Sequence, residues 1–163
     1  MKHTISVLVE NHAGVLARVA GLFARRGFNI DSLAVGVTDD ENISRITIVA
    51  DGSAYTLEQI EKQLNKLIDV IKVKTLHSDT AVTRELVLIK VSCNAKQRAE
   101  LINIAEIAKG KISDISPNSM TIELSDTKQN LDNYEELLRP YGIKEVVRTG
   151  TIAIQKGEAS VRV

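Results

Sequence analysis

Few side chains in this sequence are placed for chemistry. His3, His12 and His77 have no metal-ligand spacing. No H-E-x-x-H, G-x-S-x-G, G-x-G-x-x-G or EF-hand loop is present. Gly110-Lys111-Ile112-Ser113 looks like the end of a phosphate-binding loop, but Ala105 stands where that motif needs its first glycine. Cys93 is the single cysteine, without a local nucleophile signature, and reads as a buried inert thiol. Asp39-Asp40-Glu41 could hold a cation and reads better as a solvated turn.

The loop Asn11-His12-Ala13-Gly14 is more informative. An alternating strand ends at Glu10 and a helical period starts near Gly14. The first turn of a helix exposes unpaired N–H groups and the positive end of its dipole, a seat for a carboxylate or phosphate. Gly14 removes the side chain that would block close approach. The Asn11 amide can both donate and accept. Together these suit a zwitterion, its carboxylate on the helix and its ammonium on a side-chain carbonyl. Asn29 offers a second amide, either near the same end of the sheet or at a seam between two copies. By spacing alone an ordinary turn remains the alternative reading, because Asn and Gly are common turn residues.

The elements that must position this loop follow from periodicity. Ile5, Val7 and Val9 alternate with polar neighbours and Leu8, giving a strand. Val15, Leu16, Val19, Leu22 and Phe23 share a helix face that Gly27 should terminate. Leu33–Val37 and Ile46–Ala50 predict a hairpin across the polar turn 38–42. Thr56 with Gln59 predicts a capping box for a helix carrying Leu57, Ile60, Leu64, Leu67 and Ile68. Residues 70–76 predict the fourth strand. The order then repeats: strand 85–91, helix 95–108, strands 111–115 and 120–124, a helix capped by Asp126 or Thr127, and a last strand region 143–154 bent near Gly150. The expected fold is α+β, two tandem ferredoxin-like βαββαβ domains, residues 1–77 and 80–163.

In such units both helices cover one sheet face and leave the other open. Leu8 and residues 86–91 put apolar side chains on that open face, which predicts association, a homodimer or larger.

Composition excludes several classes. Of 163 residues, 44% are hydrophobic and 26% charged, with 21 basic and 21 acidic side chains. The balance holds in each half, so no basic patch for nucleic acid or an anionic membrane is expected. Two Phe, three Tyr and no Trp leave an aliphatic core and little stacking surface. No apolar run approaches the ~20 residues of a membrane span, and the first residues lack a signal-peptide pattern. A cytoplasmic protein is expected.

Residues 6–36, from Ser6-Val7-Leu8-Val9-Glu10-Asn11 through Asn29-Ile30-Asp31-Ser32, resemble the small regulatory subunit of acetohydroxyacid synthase, also called acetolactate synthase. Ser44–Val49, Leu57–Leu64, Arg84–Val91, Pro140–Ile143 and Arg148–Gly150 continue the likeness over essentially the whole chain. The resemblance implies an N-terminal ACT domain that binds a branched-chain amino acid, usually valine. It also implies a second domain contacting a separate catalytic subunit, which this chain activates and subjects to feedback inhibition. Thiamine diphosphate, FAD and Mg2+ would belong to that catalytic partner, which makes 2-acetolactate from pyruvate; no cofactor, metal or catalytic residue is implied for this chain. By resemblance, effector contacts fall on Asn11, Gly14 and the neighbouring backbone of Val15 and Leu16, with Asn29 and Ile30 from the facing protomer.

Three positions depart from the family pattern. His12-Ala13 replaces an acidic residue followed by Pro or Ser, which suggests a pH-dependent effector affinity. Ala108-Lys109 stands where an aromatic-Arg pair is common. The second half has Cys93-Asn94-Ala95-Lys96 in place of an Asn-x-x-Gly loop, so no second effector site is expected there.

Rival readings are an ACT-domain sensor of a different enzyme, an acylphosphatase and an RNA-recognition module. An acylphosphatase needs an arginine in its first loop, and residues 11–14 contain none, Arg18 lying a turn into the helix. An RNA module needs stacking aromatics on its third strand, and residues 43–50 have none.

Overall fold

A computed structural model describes all residues, 1–163, in two compact units. The first comprises Met1–Thr83 together with Thr151–Val163, the second Arg84–Gly150.

In the first unit β1 (Lys2–Glu10), α1 (Val15–Arg26), β2 (Ile30–Val37), β3 (Ile43–Asp51), α2 (Ala54–Leu64) and β4 (Val70–Leu76) follow in order. The sheet is antiparallel, with strand order β2-β3-β1-β4. Ile5, Val7 and Val9 of β1 and Ile46, Ile48 and Ala50 of β3 meet Val19, Leu22 and Phe23 of α1 and Ile60 and Leu64 of α2 in one core. The period-2 strand pattern and the 3.6-residue helix pattern thus point into the same space. Gly27 ends α1 in the left-handed conformation (φ 67°), its N–H donating to the Ala24 carbonyl, as its position predicted.

The second unit repeats the path: β5 (Ala81–Ser92), α3 (Arg98–Ile107), β6 (Lys111–Ser116), β7 (Ser119–Asp126), α4 (Lys128–Leu138) and, after a short 3-10 turn, β8 (Ile143–Arg148). Its sheet order is β6-β7-β5-β8, and Val87, Ile89, Val91, Met120, Ile122 and Leu124 pack against Leu101, Ala105, Leu131 and Leu138. The two-unit βαββαβ architecture is the one expected.

Helix α2 ends at Leu64, so Leu67 and Ile68 are not on its face and Ile68 is exposed; four further details differ from the sequence reading. The cap of α2 is Ser53, whose hydroxyl accepts from the Thr56 N–H; the helix starts earlier than the Thr56–Gln59 box implied. Helix α3 starts at Arg98, because Asn94 holds the preceding residues in a turn of its own. The last strand region is two strands, β8 and β9 (Ile152–Gln155), parted where Gly150 takes φ 83°.

The last of these concerns the boundary. Residues 151–163, assigned by sequence to the second domain, pack with the first. Strand β9 pairs with β5, and the Lys156 N–H donates to the Thr80 carbonyl. Ala153 and Val161 close over Leu8, Leu76 and Ala81, leaving Leu8 only 2% exposed. Arg45 Nη2 donates to the Val161 carbonyl (2.7 Å) and Lys72 Nζ to the Arg162 carbonyl (2.6 Å). Part of the open aliphatic face expected to drive association is therefore covered by the chain itself. In the second unit Leu88 and Val147, cross-strand partners on the open face, stay exposed. No helix is long and apolar enough to cross a membrane.

Candidate functional site

Strand β1 ends where Glu10 N–H donates to the Asp69 carbonyl (2.9 Å) and Asn11 N–H to the Asn42 carbonyl (2.8 Å). These bonds fix the start of the loop that enters α1. Gly14 is the N-cap of α1 in the left-handed conformation (φ 88°), with no side chain capping the helix. No acidic residue lies in the first turn either. The amides of the first turn and the positive helix end are thus without a side-chain partner.

The Asn11 side chain donates through Nδ2 to the Glu41 carbonyl (2.7 Å), which leaves its Oδ1 as a free acceptor. Val15 is 3% exposed and belongs to the core, so only its main chain can serve the site. Leu16 is 43% exposed and offers an aliphatic surface beside the helix start. An open hollow of about 450 Å3 borders the same loop, lined by Glu10, Asn11, His12, Asn42, Ile43 and Ile71 among others; of the effector residues named from sequence it includes Asn11 alone.

Asn29 and Ile30 are not part of this cluster. Ile30 pairs with Ala50, which pairs with His3, so both lie at the far end of the sheet from Glu10 and Asn11. Of the two placements expected for Asn29, the Asn11 end of its own sheet is therefore corrected: the antiparallel register carries it a strand length away. There its Nδ2 donates to Asp31 Oδ1 (2.9 Å).

Sequence reasoning missed the charged groups behind the loop. Asp69, just ahead of β4 and 5% exposed, receives Arg18 Nε at 2.6 Å on Oδ2 and faces His12 Nε2 at 3.0 Å with Oδ1. His12 Nε2 also lies 3.1 Å from Glu10 Oε2, and its Nδ1 lies 3.2 Å from the Ala13 carbonyl. The hydrogen bond from Arg18 and the charges of Arg18 and His12 hold the Asp69 carboxyl below the usual carboxylate range. The Ala13 carbonyl, then the Glu10 and Asp69 carboxylates, raise the His12 pKa above its ordinary value. Arg18 is a turn into α1 in sequence, yet its guanidinium folds back over Gly14, with Nη1 3.5 Å from where a Cβ would stand. The remoteness of Arg18 used against an acylphosphatase is therefore wrong as geometry, although its Nε is committed to Asp69. Local spacing held no signal for Asp69; only the β1–β4 pairing brings it to the loop.

Glu10, His12 and Asp69 also bring three potential ligand atoms within 4.8 Å of one another. The Arg18 guanidinium on Asp69 Oδ2 sets a positive charge against a divalent ion there, and the group reads as an ion-pair network.

Residues 5–72 match the family described as AHAS small subunit-like ACT domain, and residues 84–157 match that described as Small subunit of acetolactate synthase. The chain belongs to the acetolactate synthase small-subunit family. It is 49% identical over 157 residues to a probable acetolactate synthase small subunit of Archaeoglobus fulgidus, covering 96% of this chain and 98% of that one. With the acetolactate synthase small subunit of Mycolicibacterium smegmatis the identity is 47%, covering 98% and 94%. The crystal structure of an acetolactate synthase small subunit from Thermotoga maritima superposes with a TM-score of 0.92 at 38% identity, covering 98% and 99%. The small-subunit family named from residues 6–36 is therefore the right one, and the ACT domain carries the open helix start.

Proposed function

We propose that this chain is the regulatory subunit of an acetolactate synthase, working in the cytoplasm, and that its first unit senses a branched-chain amino acid, most simply valine. The observation that supports the sensor reading is the uncapped start of α1 at Gly14, beside the free Oδ1 of Asn11. A carboxylate suits the helix end and an ammonium suits the amide oxygen. Leu16 supplies aliphatic surface for the side chain.

In this reading the effector bridges two ACT units of a homodimer. Asn29 and Ile30 come from the facing protomer, since within one chain they stand at the other end of the sheet. Effector binding favours one arrangement of the dimer, and coupling of that kind is worth about 1–3 kcal/mol. The second unit contacts the catalytic subunit and holds its active site in working geometry. Thiamine diphosphate, FAD and Mg2+ serve the catalytic chain, and this subunit is itself non-catalytic. Selection among valine, leucine and isoleucine is modest, since one methylene is worth about 1–3 kcal/mol.

The test is reconstitution. Added to a purified acetolactate synthase catalytic subunit, this chain should raise its activity to the full level and make it sensitive to millimolar valine. Absence of activation sinks the subunit reading; activation without sensitivity to any branched-chain amino acid sinks the sensor reading.

A further inference from the structure

We propose that Arg18 grips the carboxylate of the effector and that Asp69 is the positioning residue that aims it. The proposal rests on the sensor reading above and adds the residues that recognise the acid group.

Helix side chains lean toward the N-terminus of their helix. The Arg18 side chain follows that lean until its guanidinium reaches Gly14, with Nη1, Cζ and Nη2 at 3.5, 3.9 and 4.0 Å from a Cβ built on that glycine. Its Nε donates to Asp69 Oδ2 at 2.6 Å, while Nη1 and Nη2 donate to no protein acceptor. A guanidinium fork with unused donors therefore sits against the uncapped first turn of α1. A carboxylate placed there meets main-chain N–H groups and a fixed arginine together, the pairing that gives short, directional bonds.

Asp69 fixes that arginine. It is 5% exposed, its main-chain carbonyl accepts from Glu10 N–H, and its other carboxylate oxygen faces His12. One buried residue thus ties the end of β1, the loop, the first turns of α1 and the start of β4.

The second unit supplies an internal control. Ser92 N–H donates to the Gly142 carbonyl (2.8 Å) as Glu10 does to Asp69, and Val91 pairs with Ile143 as Val9 pairs with Val70. Gly142 therefore occupies the Asp69 position. Four residues after the cap of α3, where Arg18 stands in α1, is the buried Leu101. The repeat whose helix begins without a left-handed glycine, and with Glu100 in its first turn, also lacks the arginine and its anchor.

The experiment is calorimetry on the full chain with L-valine and L-valinamide, which keeps the side chain and ammonium but replaces the carboxylate. The wild-type chain should bind valine far more tightly than the amide. In Arg18→Gln, valine affinity should fall by about ten- to a hundredfold while valinamide affinity changes less than about threefold, so the preference collapses. Asp69→Asn should lose about tenfold for valine with the same change of preference. A preserved preference in Arg18→Gln, or an equal loss for both ligands, overturns the assignment. If Arg18→Gln shows no thermal unfolding transition, Arg18→Lys decides: it keeps the charge without the fork, and an unchanged preference there also overturns it. A wild-type chain that binds neither ligand defeats the sensor reading instead.

Discussion

The step from first strand to first helix is built twice in this chain and finished in two ways. In the first unit the loop delivers Gly14 in a left-handed conformation and leaves the α1 amides uncapped. In the second unit Asn94 Oδ1 accepts from the Lys96 and Gln97 N–H groups, both at 3.0 Å, and Gln97 Oε1 accepts from Asn94 N–H. That loop satisfies donors of its own ahead of α3; the helix itself also lacks a side-chain cap, but Glu100 puts a carboxylate in its first turn, where α1 has none. The strands on either side are in the same register in both units. Sheet topology therefore brings a strand end to a helix start in each, and the loop and first-turn residues alone set what surrounds that start.

Blocking the open loop should have the largest effect. Gly14→Val forces a β-branched residue to φ 88° and narrows the approach to the first turn. Effector affinity should drop more than a hundredfold by calorimetry, and stability by about 1–2 kcal/mol in denaturant melts. An undiminished affinity would remove the helix start from the site.

Asn11→Ala deletes the free Oδ1 and the bond to the Glu41 carbonyl. Valine inhibition of the reconstituted enzyme should need at least about tenfold more valine, the scale of one lost hydrogen bond to a charged group. Asn29→His should weaken inhibition similarly if the facing protomer completes the site. If both variants keep the wild-type inhibition curve, the site has been misplaced.

Opening the closed loop sharpens the contrast. Asn94→Ala frees two amides and should cost about 1 kcal/mol of stability in the second unit. It should create no second effector site, because Gly142 and Leu101 supply no arginine and no anchor; a second binding event in calorimetry would show that free amides suffice.

The smallest effect is on pH dependence. His12 has a raised folded-state pKa, so the stability it lends is full below its ordinary value of 6.5 and is lost as pH rises through the folded value. Asp69, held low first by Arg18, lends stability above its ordinary 3.8 and loses it as pH falls through the depressed value. The groups facing His12 are Glu10 of β1 and Asp69 ahead of β4, with Arg18 of α1 acting through Asp69. Between those limits the cationic His12 adds positive charge beside the carboxylate seat. Effector binding should be a few-fold tighter at pH 5.5 than at pH 8, and His12→Gln should flatten the profile. An affinity that is level across that range in the wild-type chain removes the role.

Much of this was legible in the sequence because it is local. Alternation gave β1 and β5, the 3.6-residue period gave α1, and Gly14 and Gly27 marked its two ends. What was hidden depends on distant partners. Asp69 reaches His12 and Arg18 only through antiparallel pairing of β1 with β4. The placing of Arg18 depends on a side-chain rotamer, and sequence spacing describes only Cα positions. Ser53 displaced the Thr56 cap because several hydroxyls competed for one helix start. Residues 151–163 read as a continuation of the second unit, since a short strand carries no signal of which sheet it will join.

That last segment has a consequence for how the protein is made. Chains emerge from the ribosome in order, and domains generally fold as they appear. Thr151–Val163 is synthesised only after the whole intervening unit, a delay on the order of several seconds. Until then Leu8 and Leu76 lack the cover that Ala153 and Val161 provide. Completion of the first unit thus waits on residues that follow the second, and a product truncated before Thr151 would leave an apolar patch uncovered by them, open to quality control.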